Sequence, residues 1–319
     1  MSQKQTSKNP HESSSTKFIE TTKMIVSTLL AVFLIRTFII STYQIPTGSM
    51  ENTLLTGDHI IANKFVFGIR SPDWIGIPYT KIGFHVPYIQ IPGFRKPHKG
   101  DIVIFKYPED TRDSYVKRCI ATSGDTVEIR DKKVFVNGVY QPNAPDGKFI
   151  DYQIYPRHAR QRGIFPPGAG NRDNYGPVRI PAVGDTFRFS DRNKDKWYAM
   201  FTELVYAGHS IELVSGIRSG QLNQANQRYW QDWIREFPAA QFRIDGHSAD
   251  GYNYQFKQNY YFLMGDNRDN SYDSRYWGYV PNRLVLGEPI IIYWSWNKNL
   301  QWNKFYKKVR WNRFLRLIH

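Results

Sequence analysis

The chain has 319 residues, enough for one or two domains with a sizeable core. Its aromatic content of 16%, from 21 Tyr, 20 Phe and 9 Trp, argues against a disordered chain and for a packed or membrane-contacting one. A formal net charge of +15 leaves open a nucleic acid, an anionic membrane surface, or a basic tail that inflates the count. Cys119 is the one cysteine, so an intrachain disulfide is excluded. The eight His residues are scattered, and none has ligand spacing beside Cys or carboxylates, so no metal or other cofactor is expected.

Residues 1–20 begin with Ser, Lys, Gln, Asn and Thr and read as a disordered tail. From residue 21 the character changes, and Met24 to Ile40 is apolar apart from Ser27, Thr28, Arg36 and Thr37. With its flanks this predicts a transmembrane helix over 21–41. A cleaved signal sequence and a buried soluble helix are the rivals; the run is long for the first and lacks amphipathic periodicity for the second. Lys4, Lys8, Lys17 and Lys23 precede the span against Glu12 and Glu20, which predicts a cytoplasmic N-terminus. Arg36 would sit near the outer end and snorkel to the headgroups.

Residues 42–67 alternate strand-like runs with turns. Residues 68–98 carry Pro at 72, 78, 87, 92 and 97 among aromatics, predicting either a packed surface loop or a membrane-interface contact. Strands are expected over Gly100–Phe105, Ser114–Ile120 and Thr126–Val136, the last followed by the hairpin signal Asn137-Gly138. Residues 141–255, broken by Gly, Pro, Asn, Asp and Arg, read as an inserted second lobe. Within it Leu222, Ala225, Tyr229, Trp233 and Phe237 share one face of a predicted helix. Tyr260–Met264 reads as a buried strand, the polar run Gly265–Arg275 as a sharply turning loop braced by side-chain bonds, and Gly287–Trp296 as a final strand. The last residues, 299–319, mix six basic residues with Trp302, Phe305, Trp311, Phe314 and Leu317 and no acid, as a surface-lying segment would.

Two short stretches carry possible chemistry. Ser49 follows the apolar span so closely that an extended chain keeps it within about 30 Å of a bilayer. Gly48 permits the tight turn that would expose its hydroxyl, although a plain turn Ser fits as well. A Ser hydroxyl needs a base, and no His lies in a comparably suggestive context. Lys117, in Tyr115-Val116-Lys117-Arg118, either lies at a strand surface or points inward. In the second case desolvation frees the amine to accept a proton.

Ile45-Pro46-Thr47-Gly48-Ser49-Met50, Tyr115-Val116-Lys117-Arg118 and Gly265–Arg275, in this order, resemble the bacterial type I signal peptidases, the leader peptidases. The likeness runs over about 24–140 and 256–295. It implies a mainly β protein: an N-terminal transmembrane helix, a β-rich catalytic domain over 42–140 and 256–298, and the insertion 141–255 as a cap lobe. It implies Ser49 as nucleophile, Lys117 as general base, and Ser271 bonding and orienting that Lys. Asp273 and Arg275 would brace the site, and the Ser49 N–H with the Thr47 hydroxyl would hold the oxyanion. The apolar residues Tyr43, Ile45, Met50, Leu54, Tyr115 and Val116 suit shallow pockets for small side chains, and the resemblance implies cleavage after Ala-x-Ala. It departs in Thr47 for a common Ser, in Glu51-Asn52 for a pairing ending in Pro, and in Ala121 and Ser123 for Gly and Pro. The implied partners are secretory precursors and the lipid bilayer, with no nucleic acid, and the implied place is the bacterial cytoplasmic membrane with the catalytic domain outside. A soluble Ser/Lys self-cleaving peptidase and a non-enzymatic nucleic-acid or lipid binder are the alternatives; the second leaves Gly265–Arg275 unexplained.

Overall fold

The computed structural model describes residues 10–71, 74–76, 82–216, 219–301 and 305–318. An antiparallel eight-stranded sheet runs in the order Ile40–Gln44, Asp58–Asn63, Val285–Ser295, Ile102–Lys106, Ser114–Thr122, Tyr260–Met264, Val280–Pro281, and Arg316–Leu317 adds onto Val285–Ser295. Val285–Ser295 pairs with Ile102–Lys106 at its start and with Asp58–Asn63 further on, through register shifts at which the strand can bend from one neighbour to the next.

Tyr260–Met264 is apolar at every position because both of its faces are covered. Tyr260, Phe262 and Met264 join the largest core, with Trp197, Phe201, Trp230 and Phe242. Tyr261 and Leu263 join a second, with Phe105, Cys119 and Trp277. A third holds Ile45, Met50, Leu54, Ile60 and Ile104 under the Ser49 turn. Each fully buried large apolar side chain contributes about 1.5–3 kcal/mol.

Strand pairing crosses the composition change at 141. A four-stranded sheet orders Val139–Gln141, Lys133–Val136, Thr126–Arg130 and Tyr175–Arg179. The Asn137-Gly138 hairpin is present, with Val136 opposite Val139 and φ of +54° and +78° at the turn. The strand expected over 126–136 is two strands, split by a turn at Asp131 and Lys132 with φ of +49° and +67°. The helix expected over 221–237 is instead the strand Ser219–Leu222, a 3-10 turn Gln224–Tyr229 and the helix Trp230–Glu236. Leu222 and Phe237 are buried as expected and Trp233 packs against the core, but Tyr229 is exposed and the helix buries Trp230 and Ile234 in addition. Asn223 forms a capping box with Asn226 that starts the 3-10 turn.

The helix Pro10–Phe38 begins inside the stretch expected to be disordered; residues 1–9 lie outside the described residues. Met24, Leu29, Leu30 and Val32 are exposed on it. Among the described residues no helix is long and apolar enough to cross a membrane. The helix's first half is polar, and Arg36 interrupts the apolar run after Ile35, so that run, Met24–Ile35, spans only about 18 Å of the roughly 30 Å of hydrocarbon. The transmembrane helix expected over 21–41 is therefore not shown.

In the 68–98 excursion two short antiparallel pairs form, Gly68–Arg70 with Gln90–Pro92 and Trp74–Gly76 with Gly83–His85. Ile82, Phe84, Ile89, Ile91 and Phe94 are exposed there. The basic tail is tied into the body. Arg313 Nη2 donates to Asp58 Oδ2 at 2.7 Å, both side chains buried, and Leu317 pairs with Ile291. Trp311, Phe314 and Leu315 remain exposed on it.

Candidate active site

The chain leaves Ile40–Gln44 through buried Ile45 and turns at Gly48, where the Glu51 N–H donates to the Gly48 carbonyl at 3.1 Å. Met50 and Leu54 point into the core and pin the turn from below. Ser49 sits between the strand end and that anchor. Its hydroxyl lies 2.6 Å from Lys117 Nζ and 3.5 Å from Thr47 Oγ1.

Lys117 comes from Ser114–Thr122, opposite Val103 of Ile102–Lys106. It is 4% exposed. Burial lowers its pKa from 10.5 to about 8, against the opposing pull of the Asp273 and Asp266 carboxylates. Besides Ser49, its amine reaches the Val116 carbonyl at 3.2 Å. The strand therefore turns Lys117 inward, and neighbouring Arg118 is buried too.

The loop after Tyr260–Met264 holds the two elements together. Arg118 grips Asp266 with Nε at 2.9 Å from Oδ1 and Nη2 at 2.8 Å from Oδ2. Thr53 Oγ1, from the serine turn, donates to Asp266 Oδ2 at 2.6 Å. One buried carboxylate thus links the strand of Lys117 to the turn of Ser49 through charge-assisted bonds. The Asn267 N–H donates to the Ser49 carbonyl at 3.1 Å. Gly265 has no room for a side chain: a Cβ there would lie 2.2 Å from Ser271 Oγ and 2.4 Å from the Ser49 carbonyl.

Asp273 and Arg275 pair as the resemblance implies. Arg275 Nε lies 2.9 Å from Asp273 Oδ1 and Nη2 2.8 Å from Oδ2, and neither residue is more than 2% exposed. Asp273 also accepts from the Gly265 N–H at 3.2 Å. Burial pushes its carboxyl up, but Arg275 and these bonds hold it below the ordinary value. Arg275 donates onward to the Arg268 and Arg172 carbonyls at 2.6 and 3.2 Å, locking the loop.

Ser271 is placed differently. Its hydroxyl is buried, and among the described residues it makes no hydrogen bond to Lys117; it faces Asp273, where it helps to hold that carboxyl low. Lys117 Nζ is turned to Ser49 Oγ and the Val116 carbonyl instead.

A cleft of about 300 Å³ opens over the pair. Thr47, Ser49 and Lys117 line it with Tyr43, Ile45, Met50, Tyr115 and Val116. Leu54 does not: it is fully buried, because the Ser49 turn folds it beneath Met50. Sequence reasoning missed Gln44, Ile104, Ser114, Asn270 and Tyr272 in the lining. It also missed Arg118 and Asp266 as the clamp; their place inside the two motifs was the available signal. Among the described residues no His, Cys, Asp and Glu group could hold a metal ion.

The model of the family described as "Signal peptidase, peptidase S26" matches residues 18–193 and 217–294. Among curated relatives, the Signal peptidase I of Buchnera aphidicola subsp. Schizaphis graminum is 31% identical over 88% of this chain and 76% of its own length. That of Buchnera aphidicola subsp. Acyrthosiphon pisum is 29% identical over 93% and 81%. That of Pseudomonas aeruginosa is 29% identical over 87% and 73%.

Proposed function

The chain belongs to the signal peptidase S26 family, as a bacterial type I signal peptidase and a serine endopeptidase acting on signal peptides of secreted precursors, and on that premise we propose that Ser49 and Lys117 form its catalytic dyad and that it cuts after Ala-x-Ala. The observation that carries the reading is the 2.6 Å approach of Lys117 Nζ to Ser49 Oγ by an amine whose pKa burial has lowered to about 8. A neutral lysine in that position takes the Ser49 proton as the oxygen attacks the scissile carbonyl. The developing oxyanion is met by the Ser49 N–H, which donates no hydrogen bond among the described residues, and by the Thr47 hydroxyl. The lysine then passes its proton to the leaving amine, giving an acyl-enzyme at Ser49. Neutral again, it activates the water that releases the signal peptide. Short apolar walls from Ile45, Met50 and Val116 favour small residues before the cut.

The same reading puts the chain at the cytoplasmic membrane, N-terminus inside and catalytic domain outside, anchored through the N-terminal helix. The exposed apolar residues on that helix and the basic excess before it support this placement. Recovery of the full-length chain free of membranes would overturn it.

Incubation with a precursor bearing Ala-x-Ala, followed by mass spectrometry of the products, tests the function. Wild type is expected to give one cut directly after the second Ala. Ser49→Ala is expected to give none above background. Cleavage by Ser49→Ala, or at sites unrelated to small residues, defeats the reading.

A further inference from the structure

The pair Glu51-Asn52, in the turn that carries Ser49, meets the segment around Lys148. Lys148 forms a parallel bridge with Asn267, its N–H donating to the Asp266 carbonyl at 2.9 Å and its carbonyl accepting from the Arg268 N–H at 3.0 Å. Lys148 Nζ then reaches Glu51 Oε2 at 2.9 Å. That same oxygen accepts from Asn267 Nδ2 at 3.4 Å, and the Asn267 amide also donates to the Gly48 carbonyl at 3.0 Å. Next along the turn, Asn52 Nδ2 donates to the Asp146 carbonyl at 3.3 Å. Asn52 has φ of +81°, a left-handed backbone that Asn tolerates and that Pro, fixed near −65°, cannot adopt.

The Gly48 carbonyl and the Ser49 N–H belong to one peptide unit. In a planar trans peptide they point in opposite directions, so whatever holds the carbonyl aims the N–H. Asn267 Nδ2 and the Glu51 N–H both hold the carbonyl, at 3.0 and 3.1 Å, which leaves the Ser49 N–H facing away from them. Glu51 in turn fixes the Asn267 amide, and Lys148 fixes Glu51.

We propose that Glu51 and Lys148 are positioning residues for the cleavage reaction: the insertion, through Lys148, orients the Asn267 amide and thereby the Ser49 N–H that stabilises the oxyanion. The proposal rests on the reading of Ser49 as nucleophile. The aim of the N–H matters in the transition state more than in the bound substrate, so the effect falls on kcat rather than KM.

Kinetics on an Ala-x-Ala precursor test it with Glu51→Leu, Lys148→Met, the double variant, Glu51→Gln and Ser49→Ala. Each single apolar variant is expected to lose about tenfold in kcat with KM within about twofold, because a misaimed donor is costly while the ground state is little changed. The double variant is expected to be no worse than the weaker single one, since both break one chain of contacts. Glu51→Gln keeps an acceptor for Asn267 and Lys148 and is expected to stay within about threefold of wild type. Four outcomes overturn the proposal: a raised KM with kcat kept, losses that multiply in the double variant, Glu51→Gln no better than Glu51→Leu, or a fall in kcat matched by loss of folded protein. Ser49→Ala separates the layers: activity retained there overturns the nucleophile itself, whatever the Glu51 series gives.

Discussion

Lys117→Arg is expected to lower kcat/KM on an Ala-x-Ala precursor by about three orders of magnitude or more, although the positive charge is kept. Lys117 is 4% exposed, and burial brings its pKa to about 8, so a useful fraction is neutral at working pH. A guanidinium stays protonated throughout that range and has no lone pair to accept the Ser49 proton. The arginine is also larger in a closed space, so a second variant separates chemistry from fit. Lys117→Met has nearly the same length, no charge and no base, and removes an unfavourable buried ammonium. It is expected to fold at least as well as wild type and to be equally inactive. Activity within tenfold of wild type in a folded Lys117→Met would show that another group takes the proton.

Arg275→Ala carries the largest expected effect on stability. Asp273 and Arg275 are almost fully buried and make two short parallel bonds. Removing one partner leaves a buried charge unpaired, which destabilises by about 3–5 kcal/mol. The pH dependence gives the signature. In wild type the Asp273 carboxyl is held below its ordinary value, so its contribution is fully present above the unfolded pKa near 3.9 and is lost as pH falls through the folded value. In the variant the desolvated, unpaired carboxyl rises above its unfolded value and takes up a proton. Its penalty therefore shrinks on acidification. The stability gap between the two proteins, read from denaturant midpoints, is expected to be widest near neutrality and to narrow toward pH 4. A gap that is constant with pH would mean that Arg275 acts through its carbonyl contacts to Arg268 and Arg172 and not through Asp273.

What could be read from the sequence was set by range. The strands Tyr260–Met264 and Ser114–Thr122 were legible because their apolar runs end at polar turns, and the Asn137-Gly138 hairpin because only certain residues accept positive φ at both turn positions. The turn at Asp131-Lys132 has the same backbone sign but lacks glycine, so it was missed. Helix Trp197–Tyr206 was missed as well, and over Gln221–Phe237 Leu222 and Phe237 are buried as expected while Tyr229 is not. In both cases the aromatic-rich lobe buries residues on more than one side and blurs the period. At the site, Ser49 and Lys117 were legible only through motif resemblance; spacing alone left Lys117 free to face either way. The Arg118–Asp266–Thr53 clamp joins positions 148 and 213 residues apart, and nothing local announces such a pairing. Leu54 reads as a pocket wall in the sequence because an apolar residue near a nucleophile looks the same whether it lines the cleft or supports its floor.

The central claim is that a buried, neutral lysine activates Ser49, and the pH dependence of kcat/KM tests it most directly. For the free enzyme the acid limb reports the group that must be deprotonated. With Lys117 at about 8, log kcat/KM is expected to rise with unit slope below that pH and to level off above it. A limb centred near 6.5, where an ordinary histidine titrates, or a rate flat from about pH 6 to 9, would contradict the account.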